Sequence, residues 1–403
     1  MLPLDDLLVF DLSRVLSGPY CSMYLGDFGA RVIKLEHPTG GDDTRAFGPP
    51  FLGGESTYFM SINRNKESVA IDFKHPRGRA LALELAGRAD VLLENFRPGA
   101  LAKLGLDYAA LHKINPRLIY CSISGFGHDG RPEWVRRPGY DLAIQGQGGL
   151  ASLTGDPDGP PLKSGVSIAD LAAGLYGLVG ILIALHARER TGRGQHVDVS
   201  MLDGQISLLT YHAAIHFATG AVPSRRGNRH PSIVPYETFR AADGYVNIAV
   251  GNDGQWRALC RAVGAPLDAL ADDARYATNQ ARVANRDALI AILDPLVASR
   301  PVAAWCELCD GAGIPSGPIL TVAEALAHPQ VVARNMVVPV EHPTAGPIRV
   351  TGVPVRLSET PGSVRRAPPR LGEHTRAALR DLLGMEEGTF AELEREGVVS
   401  ATS

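Results

Sequence analysis

The chain has 403 residues, of which 45% are hydrophobic and 21% charged, and its formal net charge is -3. This length exceeds what one hydrophobic core normally serves and predicts two domains. The small net charge gives no reason to expect nucleic acid or an anionic membrane surface as a partner. The composition is typical of a globular α/β protein rather than a disordered or fibrous one.

Signals for a membrane, a secretory route or a metal are weak in this sequence. Apolar runs, of which residues 171–185 form the longest, are shorter than the ~18 residues of a membrane span. The acidic N-terminus is unlike a signal peptide. The five cysteines are scattered, and Cys306 and Cys309 lack the further ligands of a zinc site. We therefore predict a cytoplasmic protein without a metal site.

Strands and helices alternate along the first 200 residues. The predicted elements are a strand at 7–10, a helix at 20–28, strands at 31–36 and 68–73, a helix at 76–88, a strand at 91–94, a helix at 99–104, a strand at 118–123, a helix from 169 to a cap at Gly192, and a strand at 196–200. Such alternation predicts an α/β fold with a doubly wound, Rossmann-like parallel sheet.

A different pattern follows a loop rich in proline, arginine and glycine at 222–235. Residues 236–250 predict a β-hairpin around Asp243 and Gly244, and helices follow to about residue 312. A proline-rich tail at 342–370 precedes a last helix at 375–383. The predicted organisation is a large α/β domain at 1–225, a smaller α+β domain at 226–325, and a C-terminal segment at 326–403 that wraps back onto the large domain.

Asp170 is the only fully charged side chain between Lys163 and His186. A carboxylate in such a neutral stretch needs a partner, a capping role or a chemical role. As a first-turn or N-cap residue it would stabilise its helix by roughly 1 kcal/mol, and the sequence favours this reading no less than catalysis. The two roles are compatible, because a helix N-terminus would also hold a carboxylate nucleophile ionised.

Basic and amide side chains follow several predicted strands, while the common nucleotide and hydrolase motifs are missing. A single such side chain is usually only solvated. The carboxyl ends of parallel strands line one crevice, so the group is expected to converge on a phosphorylated ligand. Its members are Lys34, Arg45, Lys74, Asn95, Arg97 and Arg137.

These features resemble the class III CoA-transferases of the CaiB/BaiF type, which also include formyl-CoA transferases, carnitine CoA-transferases and α-methylacyl-CoA racemases. The similar stretches are residues 15–19, 26–36, 41–45, 63–66, 94–99, 137–141, 191–195 and the helix of Asp170. The resemblance implies that Asp170 is the catalytic nucleophile of a covalent route through an aspartyl-CoA thioester.

The resemblance also implies where CoA binds, as substrate and product rather than as a tightly held cofactor. The implied CoA-binding residues are Val15, Lys34, His37, Phe73, Lys74, Asn95, Phe96, Arg97, Lys103 and Arg137. It further implies an interlocked homodimer, with each active site between the large domain of one chain and the small domain of its partner.

Two alternatives to CoA transfer remain open in the sequence. The racemases of the family carry a histidine after Arg-x-Gly, where this chain has Tyr140, so the second acid or base of a racemase is missing. The other alternative is a CoA-binding protein without turnover, in which Asp170 is only a helix cap. Formyl-CoA transferases carry a glutamine where this chain has Leu16 and a glycine run where it has His230 to Ile233, which argues against oxalate and formate.

Within the family the likeness is greatest to the succinyl-CoA:glutarate CoA-transferases. It implies succinyl-CoA as donor and a dicarboxylate such as glutarate as acceptor. A second substrate carboxylate needs a cation or several hydrogen-bond donors. The residues predicted to bind the substrate acid are Tyr140, Arg45, Leu16, Arg229, His230 and Ser232.

Overall fold

The computed structural model describes residues 1–402, which form two compact units. The first comprises residues 1–151, 163–221 and the described chain from 329 onward, and the second comprises 152–162 and 222–328. The boundaries predicted at 225 and 325 lie close to these limits. Residues 152–162 differ, because the sequence assigned them to the large domain and their contacts lie with the second unit.

A seven-stranded sheet forms the centre of the first unit. In chain order its strands are Leu8–Asp11, Arg31–Glu36, Lys66–Ile71, Val91–Glu94, Ile119–Ser124, His196–Ser200 and Val399–Ser400. Numbered in that order, they lie side by side as 7-3-2-1-4-5-6. All pair in parallel except Val399–Ser400, which runs antiparallel to Lys66–Ile71. The direction of winding reverses at Leu8–Asp11, which pairs with Arg31–Glu36 on one side and Val91–Glu94 on the other.

The alternation of side chains along the strands divides the apolar residues between two cores. Val9 packs on one face, against the helices Ser17–Asp27 and Ile168–Thr191, whereas Phe10 packs on the other. The second face is covered by Pro76–Arg88, Thr375–Leu383 and Glu387–Arg395. The predicted α/β class with a parallel-dominated sheet is confirmed.

The remaining elements of the first unit surround this sheet. They are the helices Thr57–Ile62, Tyr108–Ile114, Pro132–Val135, Asp141–Gln147, Met201–Leu208, Thr210–Thr219 and Pro329–Ala333, the 3-10 turns Asp43–Ala46 and Ala102–Leu104, and the paired strands Phe51–Leu52 with Glu55–Ser56 and Val337–His342 with Gly346–Thr351. The short helix Leu150–Leu153 spans the boundary between the units.

Two predictions in this unit are wrong. The helix predicted at 99–104 is only the 3-10 turn Ala102–Leu104, because Gly99 and Gly105 both have positive φ and leave too few residues for an α-helix. The stretch predicted as a proline-rich tail begins inside a β-hairpin, Val337–His342 with Gly346–Thr351.

The helix Ile168–Thr191 carries Asp170 in its first turn and ends at Gly192, which has a left-handed φ of 70°. Among residues 1–402 it is the one unbroken helix that is long and apolar enough to cross a membrane, judged by length and composition alone. A core helix has the same composition, and Ala173 and Ile181 pack fully buried in the core of the first unit.

The second unit is built on a three-stranded antiparallel sheet that contains the predicted hairpin. Its strands are Tyr236–Arg240, Tyr245–Ala249 and Ser316–Pro318, with Tyr245–Ala249 in the middle. Its helices are Asp253–Val263, Asn279–Ala284, Arg286–Ala298, Val302–Gly311 and Val322–Ala327, with a 3-10 turn at Asp268–Leu270. Trp256 and Trp305 fill the core of this unit.

Candidate active site

Asp170 opens on a cavity of about 360 Å³ at the carboxyl ends of the central strands. We call it the Asp170 cavity. Its walls include Arg14, Val15 and Ser17, which follow the first strand, and residues 95–98, which follow the fourth. These two strands are the pair at which the winding reverses, the usual position of ligand sites in open α/β sheets. The fold thus places Asp170 beside the crevice that the sheet creates.

A second cavity, also about 360 Å³, lies next to the first and is lined by Lys74, His37 and Phe73. We call it the Lys74 cavity. Four residues line both cavities: Arg14, Asp43, Phe96 and Ala100. The two cavities therefore form adjoining parts of one surface, with Asp170 in one part, Lys74 in the other and Arg14 in both.

Asp141, rather than Asp170, caps the helix of Asp170. Ser167 is the N-cap residue and its side chain makes no capping hydrogen bond. Instead the backbone N–H of Ala169 donates to Asp141 Oδ1 over 2.9 Å, and Gln145 donates to Asp141 Oδ2 over 2.7 Å. Asp141 thus supplies a side-chain hydrogen bond to the first turn of this helix, and this weakens the reading of Asp170 as its cap.

The electrostatic surroundings of Asp170 differ from the sequence-based expectation. Burial and the negative charge of Asp141 raise the pKa of Asp170 to about 7, although a hydrogen bond from Ser17 opposes them. The sequence predicted that the helix N-terminus would hold this carboxylate ionised, whereas burial and the like charge of Asp141 act against ionisation. Asp170 therefore exchanges its proton near neutral pH.

We expect the reaction to depend on this proton. If Asp170 must be ionised to act, kcat/KM should rise with pH through about 7. Asp141→Asn keeps an oxygen for Ala169 but removes the like charge, so the acidic limb of the profile should move to lower pH. The measurement is kcat/KM from pH 5 to 9 for both enzymes. A limb that stays in place would exclude Asp141 as a source of the raised pKa.

Lys34 lines the Lys74 cavity, yet its ammonium group is fully buried. It donates to Asp42 Oδ2 and to the backbone oxygen of Ser13, each over 2.9 Å. Asp42 in turn accepts hydrogen bonds from Thr44 and from the backbone N–H of Val15. Val15 has a φ of 68°, a strained conformation for a β-branched residue, so this buried pair stabilises the loop that borders Asp170.

The other predicted site residues line one of the two cavities, lie elsewhere in the first unit, or belong to the second unit. Asn95, Phe96, Arg97, Arg137, Tyr140 and Val15 line the Asp170 cavity, and His37, Phe73 and Lys74 line the Lys74 cavity. Leu16, Arg45 and Lys103 line neither of these cavities. Arg229, His230 and Ser232 belong to the second unit.

Arg45 is engaged inside the first unit. Its guanidinium donates twice to Glu36 over 2.7 Å, lies 3.6 Å from Glu55, and stacks 3.7 Å from the ring centre of Phe59. Leu16 is buried before the Ser17–Asp27 helix, and Lys103 is exposed on its 3-10 turn. Binding of the substrate acid by Leu16 and Arg45, and of CoA by Lys103, stays a prediction.

Comparison with known proteins identifies the family of this chain. The model of CoA-transferase family III matches residues 4–375. The chain belongs to this family. It is therefore a CoA-transferase, as the resemblance in the sequence predicted.

Similar proteins cover nearly the whole of this family III member. A succinyl-CoA:glutarate CoA-transferase of Mus musculus is 43% identical over 99% of this chain and 91% of its own length. An acetyl-CoA:oxalate CoA-transferase of Acetobacter aceti is 46% identical over 94% of this chain and 95% of its own length. The crystal structure of a CaiB/BaiF family protein from Brucella suis is 44% identical, with a TM-score of 0.83 over 94% of this chain and 99% of that one.

Sequence reasoning missed several residues that contact Asp170 or influence it in this family III enzyme. Ser17 lowers the pKa of Asp170 and Asp141 raises it, and the charge of Asp170 contributes, after burial, to raising the pKa of Tyr58 to about 12. Ser17 and Asp141 occur in stretches that resemble the family, but nothing local in them points toward residue 170. Their proximity arises only when the helices pack.

Proposed function

We propose that this family III CoA-transferase moves CoA from succinyl-CoA to a dicarboxylic acid such as glutarate, with Asp170 as covalent nucleophile. One observation carries the proposal: the carboxylate of Asp170 faces a cavity at the carboxyl ends of the sheet while Asp141 caps its helix. Asp170 is thus left available for chemistry. The names of the mouse and bacterial relatives support transfer between carboxylic acids.

The proposed route exchanges carboxylates at a thioester in balanced steps. The carboxylate of Asp170 attacks the donor thioester, forming a mixed anhydride and releasing CoA thiolate. The thiolate attacks the aspartyl carbonyl carbon, which releases the donor acid and leaves an aspartyl-CoA thioester. The acceptor carboxylate then repeats these two steps in reverse and departs as its CoA ester, which restores Asp170. Water must be excluded because the anhydride hydrolyses readily.

CoA is proposed to lie across the two adjoining cavities. Lys74 and His37 are positioned for phosphate groups in the Lys74 cavity, and Arg97 and Arg137 add positive charge around the Asp170 cavity. The rings of Phe73 and Phe96 meet edge to face, with centres 6.4 Å apart, and provide an apolar wall. The thioester would then reach Asp170 along the residues shared by both cavities.

The identity of the acceptor rests on similarity rather than on a pocket. Arg229, His230 and Ser232 stay predictions for the distal carboxylate of a dicarboxylic acid. A relative that is 46% identical is named for oxalate, so the differences at Leu16 and residues 230–233 do not by themselves exclude that acid. Glutarate is proposed because two relatives named for it, the mouse succinyl-CoA:glutarate CoA-transferase and a succinate–glutarate CoA-transferase of Agrobacterium fabrum, resemble the chain over at least 95% of its length.

Neither alternative function receives comparable support. A racemase needs a second acid or base, and among the described residues that line the Asp170 cavity none is a histidine. Tyr140, which is 70% exposed, lies where the racemases carry their histidine. A CoA-binding protein without turnover would use Asp170 as a cap, a role that Asp141 fills.

Assembly and location complete the proposal. The strand order of the sheet supports the Rossmann-like description of the large domain. An interlocked homodimer is proposed from the resemblance, and the exposed apolar side chains of Val179, Ile183 and Phe217 are consistent with coverage by a second copy. Sedimentation at twice the chain mass would test it. A cytoplasmic enzyme without a membrane partner stays a prediction.

The test of the proposed function is to trap the intermediate. The enzyme is incubated with succinyl-CoA, treated with hydroxylamine or borohydride, digested and analysed by mass spectrometry. We expect a modification confined to Asp170, and its loss when glutarate is added before trapping. Absence of any adduct in an enzyme that still exchanges CoA would exclude the covalent route. Incorporation of solvent deuterium at the α-carbon of a 2-methylacyl-CoA would instead favour racemisation.

A further inference from the structure

Ser17 lines the Asp170 cavity together with Asp170 and has no other assigned role. It is the first residue of the Ser17–Asp27 helix and is only 3% exposed. Its hydroxyl acts on Asp170 as a hydrogen-bond donor does, by lowering the pKa of that carboxyl. The N-terminus of its own helix has no side-chain cap. The hydroxyl is therefore not used as a cap of the helix that carries it and is available to the proposed nucleophile.

Asn95 fixes the direction of that hydrogen bond. The backbone N–H of Arg14 donates to Asn95 Oδ1 over 2.8 Å, and Asn95 Nδ2 donates to the backbone oxygen of Arg14 over 2.6 Å. The orientation of the amide is set by these two bonds, so Asn95 Nδ2 also acts as the donor to Ser17 Oγ over 3.3 Å. Because Ser17 Oγ accepts from Asn95, its own proton is available for Asp170.

Close packing of two helices brings Ser17 to Asp170. Gly174 lies one turn after Asp170 on the same face of its helix. A Cβ atom at Gly174 would stand 2.6 Å from the backbone oxygen of Ser17 and 3.2 Å from the ring of Tyr20. The absence of a side chain at this position allows the Ser17–Asp27 helix to approach, which holds Ser17 in a defined place.

We propose that Ser17 is a second catalytic residue, whose hydroxyl stabilises the oxyanion that forms on Asp170 itself. This inference rests on the proposed covalent route. In that route one oxygen of Asp170 forms the anhydride bond and leaves with the donor acid. The other oxygen stays on the aspartyl carbon from the carboxylate through the anhydride to the thioester. Ser17 is assigned to the oxygen that stays.

The retained oxygen becomes negatively charged each time the aspartyl carbon is attacked. CoA thiolate attacks it once when the thioester forms, and the acceptor carboxylate attacks it once when the thioester is discharged. In both tetrahedral intermediates the C=O electron pair moves onto this oxygen, and it returns when the leaving group departs. A donor held beside this carboxyl group can stabilise both intermediates with little reorganisation.

The experiment compares Ser17→Ala with Ser17→Thr, which keeps a hydroxyl, and with Ser22→Ala as matched control. Ser22 lies on the same helix and donates to Asp11 over 2.5 Å in the buried interior. We expect Ser17→Ala to lower kcat by about 10²-fold and Ser17→Thr to recover most of that loss. Since the hydrogen bond from Ser17 opposes the raised pKa of Asp170, Ser17→Ala should also move the acidic limb of kcat/KM to higher pH. Ser22→Ala should leave the limb in place.

The outcomes separate this inference from the proposed function. Trapping on the wild-type enzyme comes first, and without an adduct at Asp170 both proposals fail. If wild type forms the adduct while Ser17→Ala exchanges CoA at the wild-type rate, only the role of Ser17 is overturned. The role of Ser17 is also overturned if Ser17→Ala and Ser17→Thr are equally slow with an unmoved acidic limb, because the effect is then one of packing.

Discussion

Asp170→Asn is expected to lower kcat for CoA exchange by about 10³-fold or more, because a neutral amide has no charge with which to attack a thioester. The substitution keeps the size of the side chain and an oxygen for Ser17, so the cavity retains its shape. The measurement is the rate of glutaryl-CoA formation from succinyl-CoA and glutarate. A variant that exchanges CoA at more than a tenth of the wild-type rate would exclude Asp170 as the nucleophile.

The stability of the same variant distinguishes a nucleophile from a helix cap. In the folded protein the pKa of Asp170 is raised by burial from 3.8 to about 7. The stabilising contribution of protonated Asp170 is thus fully present below pH 3.8, its pKa in the unfolded chain. It is lost as the pH rises through about 7, and above that pH the buried Asp170 carboxylate destabilises the fold. At pH 8 Asp170→Asn should therefore unfold at a higher urea concentration than wild type. A cap would give the opposite result.

Asp203→Asn is the matched control for this comparison. Asp203 lies in the first turn of the helix Met201–Leu208, is exposed, and does not line the Asp170 cavity. Its removal should reduce the free energy of unfolding by about 0.3 to 1 kcal/mol through the lost interaction with the helix dipole. Exchange activity should be unchanged.

Lys34→Met is expected to reduce the free energy of unfolding by about 3 to 5 kcal/mol, because Asp42 would remain buried without its cation. Burial alone would lower the pKa of Lys34, but Asp42, Asp11 and Glu36 outweigh it and raise the pKa. For Asp42, burial is outweighed by Lys34 and by hydrogen bonds, which lower its pKa to about 2. Both groups are thus charged near neutral pH, and methionine replaces only one of them. Urea denaturation at pH 7.5 measures the effect.

Lys74→Met serves as the matched control, since Lys74 lines the same cavity as Lys34 but is exposed. Its stability should change by less than about 0.5 kcal/mol, whereas KM for the CoA ester should rise because a phosphate partner is lost. If Lys34→Met instead kept wild-type stability and raised only KM, the ammonium of Lys34 would have to reach the substrate. The sequence-based prediction of CoA binding by Lys34 would then be right.

The sequence predicted most of the central sheet because parallel strands buried on both faces have a strong local pattern. Arg31–Glu36, Val91–Glu94 and His196–Ser200 have their predicted bounds. The hairpin Val337–His342 with Gly346–Thr351 was missed since Pro339 and Pro347 weaken the strand signal, although proline is tolerated in edge strands. The two-residue strand Val399–Ser400 depends wholly on pairing with Lys66–Ile71 and has no local signal.

The candidate site, like the fold, has parts that the sequence predicted and parts that it did not. Asp170 could be selected from the sequence alone, because one charge in a small-residue apolar helix is a local anomaly. Its chemistry could not, since Asp141 bonds to a residue 28 positions away and the Asn95 amide reaches Ser17 across 78 positions. Burial of the Lys34 ammonium likewise decides that it pairs with Asp42 in the folded chain. Local composition made Asp170 the candidate, and only packing, by removing water and adding a neighbouring charge, decided its pKa and its partners.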